Sequence, residues 1–257
     1  MKTISILGSG WLGLPLAEHF IEQGYPVKAS TRSSERRQAI EASGAKSFIV
    51  DIDQPLADTG NFFDADILLV NITSKNIEGF HRLINEIEKS LIRKVIYVSS
   101  TSVYQNTNSI VTEGGKAENE ANPFYQIENL FRSNKSFQTT VIRFAGLIGY
   151  NRHPGRFFGE RKIPNPDAPV NLIHRDDCIA IINGIVKQGI WAEVLNACAD
   201  THPSKREFYS YARQSLGLAL PEFEKPGEAE YKIINNEKVK QALGYRFIHA
   251  DLLKIKL

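Results

Sequence analysis

Gly8, Gly10 and Gly13 form a G-x-G-x-x-G array directly after the apolar run Ile4, Ile6, Leu7, and a helical stripe of Leu12, Leu14, Leu16, Ala17, Phe20 and Ile21 follows. A short buried strand, a glycine turn and an amphipathic helix in that order make a βα unit of an α/β fold. Gly8 permits the tight turn, Gly10 lets a bound group approach the backbone, and Gly13 lets helix and strand pack closely. The first turn of such a helix aims unpaired N–H groups at whatever lies over the glycines, which favours an anion. The array therefore reads as the pyrophosphate cradle of a dinucleotide, with Gly8, Ser9, Gly10, Trp11, Leu12 and Gly13 as contact residues. The alternative is an ordinary strand-to-helix turn.

The next strand, residues 26–31, ends about 20 residues past the glycines, where an acid would hold the ribose 2′-hydroxyl of NAD. No acid stands there; Ser30, Thr31, Arg32, Ser33 and Ser34 do. Hydroxyls and a guanidinium suit a 2′-phosphate through forked, charge-assisted hydrogen bonds, so NADP is expected over NAD, with Thr31, Arg32 and Ser33 as its readers. Arg32 as a solvated loop charge beside Glu35, Arg36 and Arg37 is the other reading.

At 257 residues the chain is long enough for one large α/β domain and a smaller lobe. Its 31 basic and 29 acidic residues leave a formal net charge of +2, no field to recruit nucleic acid or anionic lipid. A small-molecule substrate is expected, with no nucleic-acid or membrane partner; a homodimer stays open. Cys178 and Cys198 lie in apolar segments, which fits buried reduced thiols in a cytoplasmic protein, although pairing between them stays open. The N-terminus superficially resembles a secretory leader, but its glycines serve the turn and no small-residue cleavage site follows. No apolar run reaches the roughly 18 residues that span a bilayer.

Apolar runs recur at 47–50, 67–72, 95–98 and 140–144, with helical periodicity at Ile77, Phe80, Leu83, Ile84 and Ile87 and again over 123–132. That alternation predicts parallel strands joined by crossover helices. From Gly146 to about Asp167, glycines, prolines and basic residues predict a long loop leaving this core. Beyond it, 176–186 and 204–216 read as helices, 170–173 and 194–197 as strands. The expected architecture is a Rossmann-type doubly wound parallel sheet over residues 1–150, followed by a small C-terminal α/β substrate lobe over 151–257 from which the chain can cross back to the core.

Two further segments carry a family resemblance. Tyr97-Val98-Ser99-Ser100-Thr101-Ser102-Val103-Tyr104 and Asn122-Pro123-Phe124-Tyr125-Gln126-Ile127-Glu128-Asn129 resemble the strand-five ending and the Pro-x-Tyr-x-x-x-Lys helix of extended short-chain dehydrogenase/reductases, the NAD(P)-dependent epimerase/dehydratase family. Asn171 to Asp177, Leu195-Asn196-Ala197 and Asn236 to Tyr245 extend the likeness over nearly the whole chain. The resemblance implies Tyr125 as acid/base, Ser100 holding the substrate oxygen, and Asp51 and Ile52 flanking the adenine. Asn129 stands where the family has its lysine, so the chain looks most like the atypical branch. A lysine there shares a helix face with the tyrosine and lowers its pKa from about 10; asparagine offers only a dipole. Arg132 is a turn further on, about 10 Å away by helix rise from Tyr125.

The segment Asn151 to Lys162 combines basic side chains with Phe157 and Phe158 after the sixth strand. Arg152 and Arg156 can hold a diphosphate or carboxylate and Phe157 can cover a ring, which suits the nucleotide-linked sugar that the resemblance implies; a solvated basic loop with inward aromatics is the alternative. His174, Asp176 and Asp177 lack H-x-x-x-H spacing, so they read as structural, with Asp176 placed to cap the following helix, and no metal site is expected. Two functions fit: hydride transfer on a sugar nucleotide or related alcohol or carbonyl, or a catalytically impaired NADP(H) sensor or interaction protein, motivated by Asn129.

Overall fold

The computed structural model describes residues 2–56, 59–228 and 230–256; the expected domain limits at 1 and 257 lie outside the described residues. In chain order the elements begin β1 (Ile4–Leu7), α1 (Gly13–Glu22), β2 (Val27–Thr31), α2 (Arg37–Ala42), β3 (Lys46–Ile49), β4 (Ile67–Val70) and α3 (Ile77–Lys89). Next come β5 (Lys94–Ser100), β6 (Ile110–Val111), α4 (Pro123–Ser133), β7 (Gln138–Phe144), β8 (Gly146–Ile148) and β9 (Leu172–His174). The chain closes with α5 (Arg175–Gln188), β10 (Val194–Ala197), α6 (Lys205–Gln214), β11 (Ile233–Ile234) and α7 (Glu237–Leu243).

Seven strands form a parallel sheet in the order β3-β2-β1-β4-β5-β7-β10. The strand order reverses between β1 and β4, and such a reversal opens a crevice at the carboxyl ends. The chain divides into two compact units, residues 1–99, 120–142 and 182–194 in one and 100–119, 143–181 and 195–257 in the other. They interleave along the sequence rather than meeting at residue 150.

In the first unit the four residues of β1 and of β4 are all buried, as expected of central parallel strands, whose two faces are both covered. Helix α3 buries Phe80, Leu83, Ile84 and Ile87, the periodic set, and is capped by Asn76, whose side-chain oxygen accepts the Gly79 N–H at 3.1 Å. Phe131 of α4 stacks on Tyr97 of β5 with centroids 5.1 Å apart.

The second unit has its own core around Ile148, Ile163, Leu172, Phe208 and Leu252. Two short parallel pairs, β6 with β11 and β8 with β9, tie distant segments together. The stretch expected as loop after Gly146 contains β8 and a 3₁₀ turn, Pro154–Arg156. Helix α6 starts in a capping box between Ser204 and Glu207, and α7 stops at Gly244 with φ +59°. Asp176 does not cap α5: it lies within the first turn, and its carboxylate accepts the Tyr150 hydroxyl at 2.8 Å. Among the described residues no helix is long and apolar enough to cross a membrane.

Candidate cofactor and active site

The glycine turn is fixed by its own backbone. Gly8 has φ +98°, and a Cβ there would stand 2.5 Å from the Asn71 carbonyl oxygen; at Gly13 it would stand 2.0 Å from the Gly8 carbonyl oxygen. The Gly8 N–H donates to Ser30 Oγ at 3.1 Å, and Asn71 Nδ2 donates to the Gly8 carbonyl at 3.1 Å. Ser9, expected to touch the ligand, is buried and directs both its N–H (2.9 Å) and its hydroxyl (2.8 Å) to the Ser30 carbonyl. It shapes the turn instead.

Gly10 differs from its two partners. A Cβ at this position meets no protein atom within 4 Å, so internal packing gives no reason for glycine, whereas a group laid over the turn does. Beside it, the Gly10 and Leu12 amides have no protein acceptor among the described residues. Helix α1 has neither a side-chain cap nor an acid in its first turn. Open amides, a positive helix end and clearance for the backbone fit a pyrophosphate.

At the end of β2, Thr31 is buried and its hydroxyl accepts the Ser33 N–H at 3.2 Å, while Ser33 donates its own to Glu35 at 2.9 Å. The Arg32 side chain is 72 % exposed, 3.8 Å from Asp53. Arg36 reaches further in: its guanidinium donates to the Ser9 carbonyl at 3.4 Å. The Asp51 carboxylate accepts the Asp53 N–H at 3.0 Å. Ile52 is packed into the core, so only its backbone is available to an adenine; its carbonyl accepts Arg82 at 2.8 Å. Asn76 ties the rim together by donating to Asp53 at 2.7 Å.

Helix α4 carries Tyr125 half-buried near its start, with Asn122 as N-cap and Pro123 at the first helical position. One turn on, Glu128 is fully buried and accepts the Ser99 hydroxyl at 2.5 Å, pinning α4 to β5. Burial, with the Glu128 carboxylate adding to it, pushes the Tyr97 phenol well above its ordinary value. Asn129 is exposed, and its side-chain oxygen accepts the Arg132 guanidinium at 3.4 Å. Lys75 brings a second cation to the start of α4, 5.4 Å from the Phe124 ring centroid.

Ser100 closes β5, and its hydroxyl accepts the Ser102 N–H at 3.1 Å. In the second unit Arg152 and Arg156 are exposed, whereas Phe157 is half-buried against the core of that unit. The aromatic anchors the basic loop.

A family model described as NAD(P)H-binding matches residues 8–177. The chain belongs to the NAD(P)H-binding family. Protein YeeZ of Escherichia coli strain K12 is 29% identical over 273 aligned positions that cover 100% of both chains. A solved structure from Methylobacillus flagellatus, assigned as an NAD-dependent epimerase/dehydratase, is 25% identical with a TM-score of 0.79, covering 97% of this chain and 94% of that one. UDP-glucose 4-epimerase of Thermotoga maritima, solved with UDP-glucose, has the same fold at 16% identity, TM-score 0.78, covering 99% and 96%. The epimerase/dehydratase likeness read from the motifs extends to that Methylobacillus structure over 97% of this chain.

Two residues that no motif marks hold this architecture: Asn71 braces the glycine turn, and Glu128 pins α4 to β5. Asn71 follows β4 and Glu128 sits between two motif positions. A polar residue directly after an apolar strand, and an acid on the apolar face of a helix, are the signals that could have disclosed them.

Proposed function

We propose that the chain is an NADP(H)-dependent oxidoreductase of the epimerase/dehydratase type, acting on a carbinol or ketone carbon of a nucleotide-linked sugar or a related alcohol or carbonyl. The observation that carries the cofactor assignment is Gly10, a glycine whose absent side chain no protein atom would meet. NADP is favoured over NAD by Arg36 and Arg32 beside a β2 end without an acid. Gly10, Leu12 and Gly13 would hold the pyrophosphate, Arg36 and Arg32 the 2′-phosphate, and Asp51 with the Ile52 backbone the adenine. The nicotinamide, when bound, supplies the hydride chemistry. Tyr125 would exchange the proton of the reacting oxygen, Ser100 would hydrogen-bond that oxygen, and Arg152 and Arg156 would meet a substrate diphosphate. The nucleotide sugar is supported by the fold shared with an epimerase solved with UDP-glucose. Buried free thiols at Cys178 and Cys198 fit a cytoplasmic setting.

A second reading, an NADP(H) sensor with little turnover, is favoured by Asn129, exposed and engaged by Arg132. General acid–base help is worth about 10²- to 10⁴-fold in rate, and a dipole replaces only part of it. Fluorescence titration with NADPH followed by single-turnover oxidation against carbonyl and UDP-sugar panels separates the two. Turnover lost in Tyr125→Phe supports the enzyme. Tight binding without turnover, unchanged by Asn129→Lys, supports the sensor, and absence of NADPH binding defeats both.

A further inference from the structure

The second unit gathers three metal-ligating side chains from distant parts of the chain. His174 ends β9, Asp176 lies in the first turn of α5, and His249, 73 residues beyond Asp176, comes from the C-terminal segment. His249 Nε2 stands 3.0 Å and His174 Nδ1 3.2 Å from the same oxygen of Asp176, Oδ2, and all three ligand atoms lie within 4.8 Å of one another. Tetrahedral zinc with bonds of about 2.0–2.1 Å sets its ligand atoms about 3.3 Å apart, close to the two measured edges.

We propose that His174, Asp176 and His249 form a binding site for one divalent transition-metal ion of the zinc type.

Asp176 and the segment bearing His249 are held by bonds outside the triangle, and His174 is held by packing. The other oxygen of Asp176 accepts the Tyr150 hydroxyl at 2.8 Å, which aims Oδ2 inward. Next to it, Asp177 is fully buried and accepts the Tyr245 hydroxyl (2.6 Å) and the backbone N–H groups of Ile248 (2.7 Å) and His249 (3.2 Å), so the segment bearing His249 is pinned. The His174 ring is buried against Gly149, where a Cβ would stand 2.3 Å from Nε2. That leaves Nδ1 as the nitrogen facing the cluster.

The donor set itself selects the kind of ion. His174 Nδ1 stands 3.2 Å from Asp176 Oδ2 and 3.3 Å from the Asp176 backbone nitrogen, so an ion bound there would take the nitrogen's single lone pair in place of that backbone contact. Imidazole nitrogens with one carboxylate suit zinc better than magnesium or calcium, which prefer oxygen alone. Arg175, the neighbouring cation, is drawn over the Tyr150 ring, 3.7 Å from its centroid, and Asp177 adds a second carboxylate to the local balance. His249 and Asp176 keep 22% and 33% of their side chains exposed, which gives the ion a path in and room for a water as fourth ligand. The bound ion would staple the C-terminal segment to the start of α5.

The test uses the full chain, stripped of metal and titrated with zinc ion in competition with a chromophoric chelator. One zinc per chain is expected, with affinity reduced more than about 100-fold in His249→Gln and about tenfold in Tyr150→Phe, where only an outer hydrogen bond is lost. Zinc K-edge absorption on the unmodified protein, independent of any variant's folding, should give a nitrogen and oxygen shell near 2.0–2.1 Å. No stoichiometric binding at micromolar zinc, unchanged affinity in His249→Gln, or a sulfur shell at about 2.3 Å that moves the ion to Cys178 or Cys198 would each overturn the proposal.

Discussion

The nucleotide cradle of the first unit is made almost wholly of main chain, whereas the second unit is organised by buried side chains that meet across long stretches of sequence. In the first, Gly8, Gly13, Ser30 and Asn71 fix a turn through carbonyl contacts and N–H donors. In the second, Arg143, 1% exposed, donates to the Tyr104 hydroxyl and to Glu118, both at 2.6 Å, and Tyr104 donates in turn to Asn196 at 2.8 Å. Burial pushes the Tyr104 phenol up to about 12 even against the pull of that guanidinium. A backbone cradle tolerates changes in the side chains around it but no added atom inside it. A side-chain network accepts small shifts in shape but not the loss of a partner, because what is left behind is a buried charge.

The sharpest test of that contrast is Arg143→Met. Removing one partner of a buried ion pair typically costs about 3–5 kcal/mol, and Glu118 would keep its charge at 10% exposure. Urea unfolding should show the loss; a change below about 1 kcal/mol would mean that the network does not hold the second unit. Next in size is Gly13→Ala, whose methyl would stand 2.0 Å from a backbone oxygen that cannot swing aside. Overpacking of this kind costs about 1–3 kcal/mol. Its control is Gly10→Ala, which should fold within about 0.5 kcal/mol of the parent yet bind NADPH poorly. Equal destabilisation at the two positions would erase the distinction between a glycine kept for the fold and one kept for a ligand.

The same contrast decides how much the sequence discloses. The first unit announces itself because its elements answer to period: Ile4 and Ile6 before the glycines, and Phe80, Leu83, Ile84 and Ile87 on one helical face, all buried as the pattern requires. The motif positions Gly8, Gly10 and Gly13 follow from local spacing as well, whereas Tyr125 rests on the family resemblance. Local spacing cannot disclose that Ser9 turns inward onto Ser30, or that Arg36, four residues past Arg32, reaches the glycine turn. In the second unit the decisive partners are 73 residues apart for Asp176 and His249 and 92 for Tyr104 and Asn196. No periodicity joins them. The basic loop was legible as a charge pattern, but the half-buried Phe157 owes its place to the packing of α6 and its surroundings.

A smaller effect sharpens the cradle's electrostatics. If Arg36 reads the 2′-phosphate, Arg36→Ala should weaken NADPH about tenfold relative to NADH, the size of one charge-assisted hydrogen bond lost. Arg32→Ala, removing a side chain 72 % exposed, should do less. Paired titrations with the two coenzymes measure both ratios. A larger discrimination lost at Arg32 would restore the reading made from its position alone.

The smallest expected effect is on pH. His202 lies in the second unit with Nδ1 3.2 Å from the Val170 carbonyl; burial lowers its pKa, and that hydrogen bond only partly offsets the shift. A histidine whose folded pKa is depressed binds its proton more readily when the chain unfolds. Its contribution to stability is therefore complete above the ordinary value of about 6.5 and is lost as pH falls through the lower folded value. His153, also lowered chiefly by burial, acts in the same direction. The urea midpoint should thus decline between about pH 7 and 5, and His202→Gln should flatten part of that slope while leaving the rest. An unchanged slope in the variant would move the acid sensitivity to His153 and leave His202 as packing alone.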